Sequence, residues 1–252
     1  MVTTIGPSVQ LYTVRTALAA DMPAALARLA VIGFERVEGF DLVGLGDQYA
    51  AALPDAGLVM PSAHVTLLGA DLAPVFAAAR RLGVGTVIEP WASPERWGRR
   101  EDVEAIAAEL SAIAPRAEDA GLRIGYHNHW FELENRFDGV TALEVLAGAL
   151  DPRVILEVDT YWAEIGGEPA PALLRRLGDR VQFIHVKDGP RVRDTSTQTA
   201  VGSGDLPIAD ILAAAPNATR VVELDDHAGG DMFEAIAASR SFLLGTQHGE
   251  TR

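Results

Sequence analysis

Residues that can bind a metal ion or move a proton recur where short apolar runs of this sequence end. Asp159 ends RVILEVD, His185 and Lys187 lie in VQFIHVKD, and Glu223 follows TRVV. Carboxylates and imidazoles suit Mn²⁺, Mg²⁺, Zn²⁺ or Co²⁺, and a carboxylate can also abstract a proton. Asp159, His185 and Glu223 are therefore candidate metal ligands that leave positions open for substrate oxygens. The alternative is a core histidine and two carboxylates that cap helices.

The densest polar motif is GYHNHWFELE, which holds two of the six histidines of the chain. It predicts a strand that places Tyr126 and Asn128 on one face and His127 and His129 on the other. If Tyr126 faces inward, the histidines face the helix layer and are weak ligand candidates. Glu132 follows the strand and is free to turn back over the site.

The elements that must position these residues alternate along the chain. Eight short runs rich in Val and Ile begin at Ser8, Phe34, Leu58, Gly85, Leu122, Arg153, Val181 and Thr219. Longer Ala- and Leu-rich segments of helical spacing separate them, and many of these end in Gly, as helix C-caps do. The pattern predicts βαβ units and one parallel sheet.

Eight such units in about 250 residues predict a single α/β domain over residues 1–252, a (β/α)₈ TIM barrel with its active site at the carboxyl ends of the strands. An open doubly wound sheet is the main alternative, but no Gly-x-Gly-x-x-Gly follows the first strand. Residues 245–252 are expected to form a frayed tail.

Composition excludes several classes of function. The formal charge of −14 disfavours nucleic acid as a partner, because binding phosphates needs clustered Lys and Arg. The absence of cysteine excludes thiolate metal sites and disulfides. No run of about 18 apolar residues and no secretory signal is present, so we expect a cytoplasmic protein that does not bind membranes.

Further polar and aromatic residues predict a sugar pocket. Aromatic faces would cover a ring, and His64, Arg191 and Lys187 would donate hydrogen bonds to substrate oxygens. The predicted substrate-binding residues are Tyr12, His64, Asn128, His129, Trp162 and Arg191. For each of these residues, the alternative is a purely structural role at the surface or in the core. Gly202 and Gly204 in VGSGDLPIADIL indicate a turn followed by an N-cap, without a bound phosphate.

The motifs VQLYTVR, SAHV, YHNHWFELE, EVDTYW, FIHVKDGPR, VGSGDLPIADIL and VVELDD together resemble the sugar phosphate isomerase/epimerase family of xylose isomerase-like TIM barrels. The resemblance covers essentially the whole chain. It implies a divalent metal, Mn²⁺ first, held by Asp159, His185 and Glu223.

The sequence departs from the family pattern at the fifth strand. Relatives place a glutamate where this chain has Tyr126, and a second glutamate six residues later, where this chain has Glu132. The fourth ligand is therefore Glu132, which we favour, or else His127 or His129.

The family implies proton abstraction next to a carbonyl of a small sugar or keto-sugar, with Glu223, Glu132 and Lys187 as catalytic residues. The missing glutamate weakens epimerisation specifically and leaves a dehydratase or lyase of keto-glycosides or keto-inositols as an alternative. An endonuclease-like phosphodiesterase and a non-catalytic sugar-binding barrel are less favoured. The oligomeric state is open.

Overall fold

The computed structural model describes residues 6–247, and eight parallel strands in it close into a barrel. The strands are β1 (Ser8–Gln10), β2 (Arg36–Phe40), β3 (Val59–His64), β4 (Thr86–Glu89), β5 (Arg123–His127), β6 (Ile155–Asp159), β7 (Val181–Val186) and β8 (Thr219–Val222). Their order around the barrel is β1-β8-β7-β6-β5-β4-β3-β2, so sequential strands pair throughout. The predicted TIM barrel is confirmed.

Helices surround the barrel and join its strands. They are α1 (Arg15–Ala20), α2 (Met22–Ile32), α3 (Leu42–Ala56), α4 (Leu72–Leu82), α5 (Arg100–Asp119), α6 (Phe131–Glu134), α7 (Ala142–Ala149), α8 (Thr160–Ile165), α9 (Ala170–Leu177), α10 (Ile208–Ala214) and α11 (Met232–Gln247). The predicted first strand is shorter than its motif, because residues 11–14 form a 3₁₀ helix. A two-stranded hairpin joins Arg136–Phe137 to Val140–Thr141.

The last helix corrects one expectation. Residues 245–247 of the predicted tail belong to α11, whereas residues 248–252, with His248, lie outside the described part of the chain. In residues 6–247, no helix combines the length and the apolar character needed to cross a bilayer.

The barrel interior has an apolar layer beneath a polar one. Ile88, Ile155, Phe183 and Val221 form a small buried cluster, separate from the main core that the strands share with the helices. Alternate residues of a strand face the same side, so the positions two residues after Ile155, Phe183 and Val221 also face the interior. Those positions hold Glu157, His185 and Glu223. Inside the barrel, a layer of titratable side chains therefore lies above a layer of apolar ones.

Candidate metal centre and active site

The three predicted ligands converge at the carboxyl ends of neighbouring strands. Asp159 ends β6, His185 lies in β7, and Glu223 follows β8 directly. One ligand atom from each lies within 4.8 Å of the others, and all three side chains are buried. His185 Nδ1 lies 2.8 Å from Glu223 Oε2. Adjacent parallel strands end at one edge, which is why residues far apart in sequence meet here.

Strand β5 alternates as predicted, and the structure places Tyr126 outside the barrel and His127 inside. Tyr126 points outward, where its ring lies 5.6 Å from that of Trp97 and its hydroxyl donates to Glu132. His127 points into the barrel, and its ring centroid lies 4.5 Å from that of His185. The Tyr126 hydroxyl finds a carboxylate acceptor outside the barrel, so the histidine takes the interior position. His127 is therefore a stronger ligand candidate than the sequence suggested.

Glu157 lies beneath three imidazoles at the base of the site. Its Oε2 is 2.6 Å from His64 Nε2 and 3.2 Å from both His127 Nδ1 and His185 Nε2. The other nitrogens of two of these rings face the opposite way, since His127 Nε2 lies 3.8 Å from Asp159 Oδ2 and His185 Nδ1 faces Glu223. Of these three contacts, the one to His64 has hydrogen-bond geometry, and the Glu157 carboxylate attracts one nitrogen of His127 and one of His185. The other nitrogens of His127 and His185 are left facing Asp159 and Glu223, where a metal ion would bind.

A second buried carboxylate supports the same histidine from the other side of the barrel. Glu38 Oε1 lies 2.7 Å from His185 Nε2 and accepts a hydrogen bond from Gln10 Nε2 at 2.9 Å. Its Oε2 accepts from the hydroxyl of Ser62 at 2.5 Å. Both oxygens of Glu38 therefore have partners, as a buried carboxylate requires. The orientation of His185 is fixed from β2 as well as from β6.

Lys187 brings a positive charge to the ligand set. Its Nζ lies 2.9 Å from Asp159 Oδ2, 2.6 Å from Glu223 Oε2 and 2.8 Å from Asp225 Oδ2. Burial alone would lower the pKa of Lys187, but the surrounding carboxylates outweigh it and raise that pKa well above its usual value. Lys187 thus stays an ammonium, suited to donate hydrogen bonds and unsuited to act as a base.

The pKa values of the ligand groups diverge. Burial raises the pKa of Asp159 to about 6. For Glu223 the effect of burial is outweighed by Lys187 and His185, which hold its pKa well below the usual range. Burial lowers the pKa of His127 well below its usual value, so this imidazole is neutral at pH 7. Glu223 is ionised and His127 carries a free lone pair, which are the forms in which each binds a metal.

The donor set fits a divalent cation. Eight buried side-chain atoms of the described residues have no hydrogen bond of acceptable geometry, and three of them, Asp159 Oδ2, His127 Nδ1 and Glu157 Oε1, lie at this site, although Lys187 Nζ lies close to Asp159 Oδ2. Such atoms are rare in folded proteins and commonly mark an ion or a water. One ammonium also leaves the surrounding carboxylates only partly neutralised. Carboxylate and imidazole donors together suit Mn²⁺, Zn²⁺ or Co²⁺ better than Mg²⁺.

The structure gives Glu132 other partners than a metal ligand set. Its Oε1 accepts from the Tyr126 hydroxyl at 2.8 Å and its Oε2 accepts from the backbone N–H of His129 at 2.9 Å. Burial raises its pKa to about 8, so the carboxyl group is largely protonated at pH 7. Glu132 belongs neither to the group of Asp159, His185 and Glu223 nor to the second group of described side chains that could hold a metal ion, which is His64, His127, Glu157 and His185. The expectation that it completes the ligand set finds no support in this geometry.

A cavity of about 850 Å³ opens above the ligand set, between β1 and β5. Three of the predicted substrate-binding residues line it, namely Tyr12, His64 and His129, together with His127 and Glu223. Half of the predicted substrate-binding residues therefore line the cavity.

The other three predicted substrate-binding residues are used elsewhere. The Asn128 side chain accepts from the backbone N–H of Asp159 at 3.0 Å and donates to the carbonyl of the same residue. Trp162 is buried against Trp130, with Lys187 Nζ 5.6 Å from its ring. Arg191 is half-exposed and pairs with Glu164. None of the three lines the cavity.

Two site residues escaped the sequence reasoning. Glu157 lies within the Val- and Ile-rich run that begins at Arg153, and Glu38 lies within the run that begins at Phe34. The period of two would have found Glu157, because it precedes Asp159 by two residues and must share its face. No sequence signal places Glu38 beside His185, since 147 residues separate them.

A closed eight-stranded parallel barrel with carboxylates and imidazoles at its strand ends defines a class of TIM barrels with a candidate metal centre. Residues 46–232 match the family model of the xylose isomerase-like TIM barrel, and the chain belongs to that family.

Solved structures share the fold over nearly their whole length. A sugar phosphate isomerase/epimerase from Parabacteroides distasonis superposes with a TM-score of 0.81 at 23% identity, covering 96% of this chain and 95% of the other. The IolI protein with a bound zinc atom gives 0.75 at 15%, covering 98% and 99%. The probable 3-DHS dehydratase AsbF from Bacillus anthracis gives 0.69 at 14%, covering 95% and 98%. No curated protein matches the chain.

Proposed function

We propose that this protein is a divalent-metal-dependent isomerase or epimerase that abstracts a proton next to the carbonyl of a small sugar or keto-sugar. The observation that carries the proposal is the convergence of Asp159, His185 and Glu223 at one edge of the barrel. We take His127 as the fourth ligand in place of Glu132, because His127 faces the interior. Mn²⁺ is the favoured ion, with Zn²⁺, Co²⁺ and Mg²⁺ as alternatives, and the zinc atom bound in the IolI structure supports a divalent metal in a barrel of this fold.

When bound, the cation would polarise the substrate carbonyl and lower the cost of negative charge on the adjacent oxygen. The chain supplies the remaining chemistry. Glu223 lines the cavity and is ionised, so it can remove the carbon-bound proton. Lys187 keeps its proton and can donate a hydrogen bond to a substrate oxygen. His64, at the cavity wall with Nε2 held by Glu157, can direct its other nitrogen to a hydroxyl group.

A dehydratase or lyase of keto-sugars is the second candidate, and one observation favours it. Epimerisation needs a second base on the opposite face of the substrate, and the Glu132 carboxyl that the family resemblance offers for this role is bonded to Tyr126 and largely protonated. Elimination needs one base, which Glu223 can provide, and a hydrogen-bond donor to the leaving oxygen, which the Lys187 ammonium can provide. The AsbF dehydratase shows that the fold also occurs among probable dehydratases.

The test combines metal binding with proton exchange. Asp159→Ala and His185→Ala should each weaken Mn²⁺ binding by at least tenfold while the circular dichroism spectrum is retained. Asp210→Ala, at an exposed position of α10, is the matched control and should bind Mn²⁺ like the parent. Folded variants with parental Mn²⁺ affinity would contradict the ligand assignment.

Solvent deuterium uptake then distinguishes the reaction types. A panel of ketoses and keto-glycosides incubated in D₂O should gain deuterium at the carbon next to the carbonyl, and Glu223→Gln should abolish that gain. Loss of water or of a leaving group would identify a lyase, and exchange without net elimination would identify an isomerase or epimerase. Binding without any exchange would indicate a sugar-binding barrel and contradict the proposal.

A further inference from the structure

Part of the wall of the cavity above the ligand set is apolar. Besides its titratable residues, the side chains that line the cavity are predominantly apolar, among them Leu42, Val43, Val65, Pro74, Val75 and Trp91. At about 850 Å³, the cavity lies in the upper part of the ~300–1,000 Å³ range of pockets that enclose drug-sized ligands. One sugar ring at the metal centre leaves this wall uncovered.

The exposure of apolar side chains is concentrated at the same mouth. Tyr12, Val43 and Trp91 are 43%, 57% and 46% exposed, and they are three of the seven large apolar side chains that are exposed within residues 6–247. Exposed apolar surface gathered in a concave site marks a place where a ligand is bound. Trp91 and Tyr12 offer ring faces or edges at the rim, while the valines offer no hydrogen bonds.

The charges that line the cavity disfavour an anionic substrate. No Lys or Arg lies among its described lining residues, whereas four carboxylates do. A phosphate group on the sugar would have no counter-ion along this wall.

Helix N-termini at the mouth, which can bind phosphate in α/β proteins, are already occupied. The Asp41 carboxylate accepts from Gly44 N–H at the start of α3, and the Asp71 carboxylate accepts from Ala73 N–H at the start of α4. Both carboxylates line the cavity. They take the donors that a phosphate would need and add repulsion.

In the glycine-rich loop after β7, backbone N–H groups also donate to a carboxylate of the chain. The Asp188 side chain is buried and accepts from the backbone N–H of Gly189 at 2.9 Å, Gly202 at 2.8 Å and Leu206 at 3.2 Å. A Cβ at Gly204 would lie 2.2 Å from Asp188 Oδ1, so the loop is folded tightly on this carboxylate. An internal anion thus satisfies the N–H groups with which such a loop would hold a phosphate.

We propose that the substrate is an electrically neutral sugar derivative carrying an apolar substituent of about the size of an aromatic ring. The sugar lies at the metal centre and the substituent lies against the wall of Leu42, Val43, Val65, Val75 and Trp91. This inference rests on the proposed function, since it assigns the sugar to the metal centre.

The experiment measures equilibrium binding to the Mn²⁺-loaded protein by calorimetry. The probes are methyl β-D-glucoside, phenyl β-D-glucoside, cellobiose and glucose 6-phosphate. Phenyl glucoside should bind at least about tenfold more tightly than methyl glucoside, because burial of an aromatic ring is a large favourable contribution. Cellobiose and glucose 6-phosphate should bind no more tightly than methyl glucoside.

A pair of variants places the substituent on the wall. Val43→Lys should remove most of the preference for phenyl over methyl glucoside, since it puts an ammonium group at the apolar surface. Val31→Lys, at an exposed valine on α2 outside the cavity, is the matched control and should keep the preference.

Three outcomes overturn the inference. Phenyl glucoside binds no more tightly than methyl glucoside, or neither binds. Cellobiose or glucose 6-phosphate binds more tightly than phenyl glucoside, or the preference for phenyl glucoside is unchanged in Val43→Lys. The proposed function fails separately. If the protein does not bind Mn²⁺, the metal centre is wrong; if it binds Mn²⁺ and the phenyl group adds nothing, only the present inference fails.

Discussion

Replacing Glu157 by Gln tests whether this buried carboxylate orients the metal-binding imidazoles. Glu157 is fully buried, and its Oε2 lies 2.6 Å from His64 and 3.2 Å from each of His127 and His185. The imidazoles of His185 and His64 outweigh the effect of burial and hold the pKa of Glu157 well below its usual range, so it is an anion at pH 7. Glutamine keeps the shape and removes the charge. It also replaces one acceptor oxygen with a donor that cannot serve a ring N–H.

The expected loss follows from the number of contacts removed. Hydrogen bonds to charged groups contribute ~1.5–3 kcal/mol each, and partners in the second layer around a metal contribute about 10–100-fold in affinity. Because two candidate ligands, His127 and His185, each lie 3.2 Å from the same oxygen, we expect Glu157→Gln to weaken Mn²⁺ binding at the upper end of that range. The unfolding free energy should also fall, on the order of 2 kcal/mol.

The assay is competition between the protein and a fluorescent chelator for Mn²⁺ at pH 7, with urea unfolding measured in parallel. Glu168→Gln is the matched control, since Glu168 is also a buried carboxylate but pairs with Arg136 and Arg176 away from the site. The control should lose stability and keep parental Mn²⁺ affinity. Parental affinity in Glu157→Gln would refute the positioning role, whatever happens to stability.

Three further predictions concern pH, backbone and metal. Burial raises the pKa of Glu132 from 4.5 to about 8, so the folded protein holds a proton that the unfolded chain releases, and stability should fall as pH rises from 5 to 8, by at most about 1.4 kcal/mol per pH unit. Glu132→Gln should flatten that part of the urea-stability profile, and an unchanged slope would show that the carboxyl is already ionised. Gly204→Ala should lower the melting temperature by several degrees, because its Cβ would meet Asp188 Oδ1 at 2.2 Å and Gly189 N at 2.2 Å; an unchanged melting temperature would show that the loop relaxes without cost. Chelation of metal from the purified protein should lower the melting temperature by mass action, and re-addition of Mn²⁺ should restore it; a melting temperature indifferent to both would argue against a bound ion.

The positions of strands and the identity of three candidate ligands could be predicted from sequence because they depend on local patterns. Val- and Ile-rich runs alternate with helical segments, and a parallel barrel brings strand ends together whatever the details of packing. Asp159, His185 and Glu223 were found in this way, since each lies at or just beyond a strand end. The period of two along β6 could also have supplied Glu157.

The direction in which β5 faces was decided only by tertiary structure. Alternation fixes that Tyr126 and His127 face opposite sides, but it leaves open which side is the interior. Packing against Trp97 and a hydrogen bond to Glu132 take Tyr126 outward, and the imidazole of His127 then joins His185 inside. The same contact removes Glu132 from the site.

The sequence by itself determined the barrel, the edge at which the site lies and the types of donor available there. Only the fold decided which donor atoms lie close together and where the apolar wall of the cavity lies. It also decided that Asp41, Asp71 and Asp188 accept hydrogen bonds from backbone N–H groups that could otherwise bind a phosphate. The physical reason is the distance along the chain over which each kind of interaction acts. Strand and helix signals act over a few residues, whereas the contact between Glu38 and His185 spans 147 residues and forms only when the barrel closes.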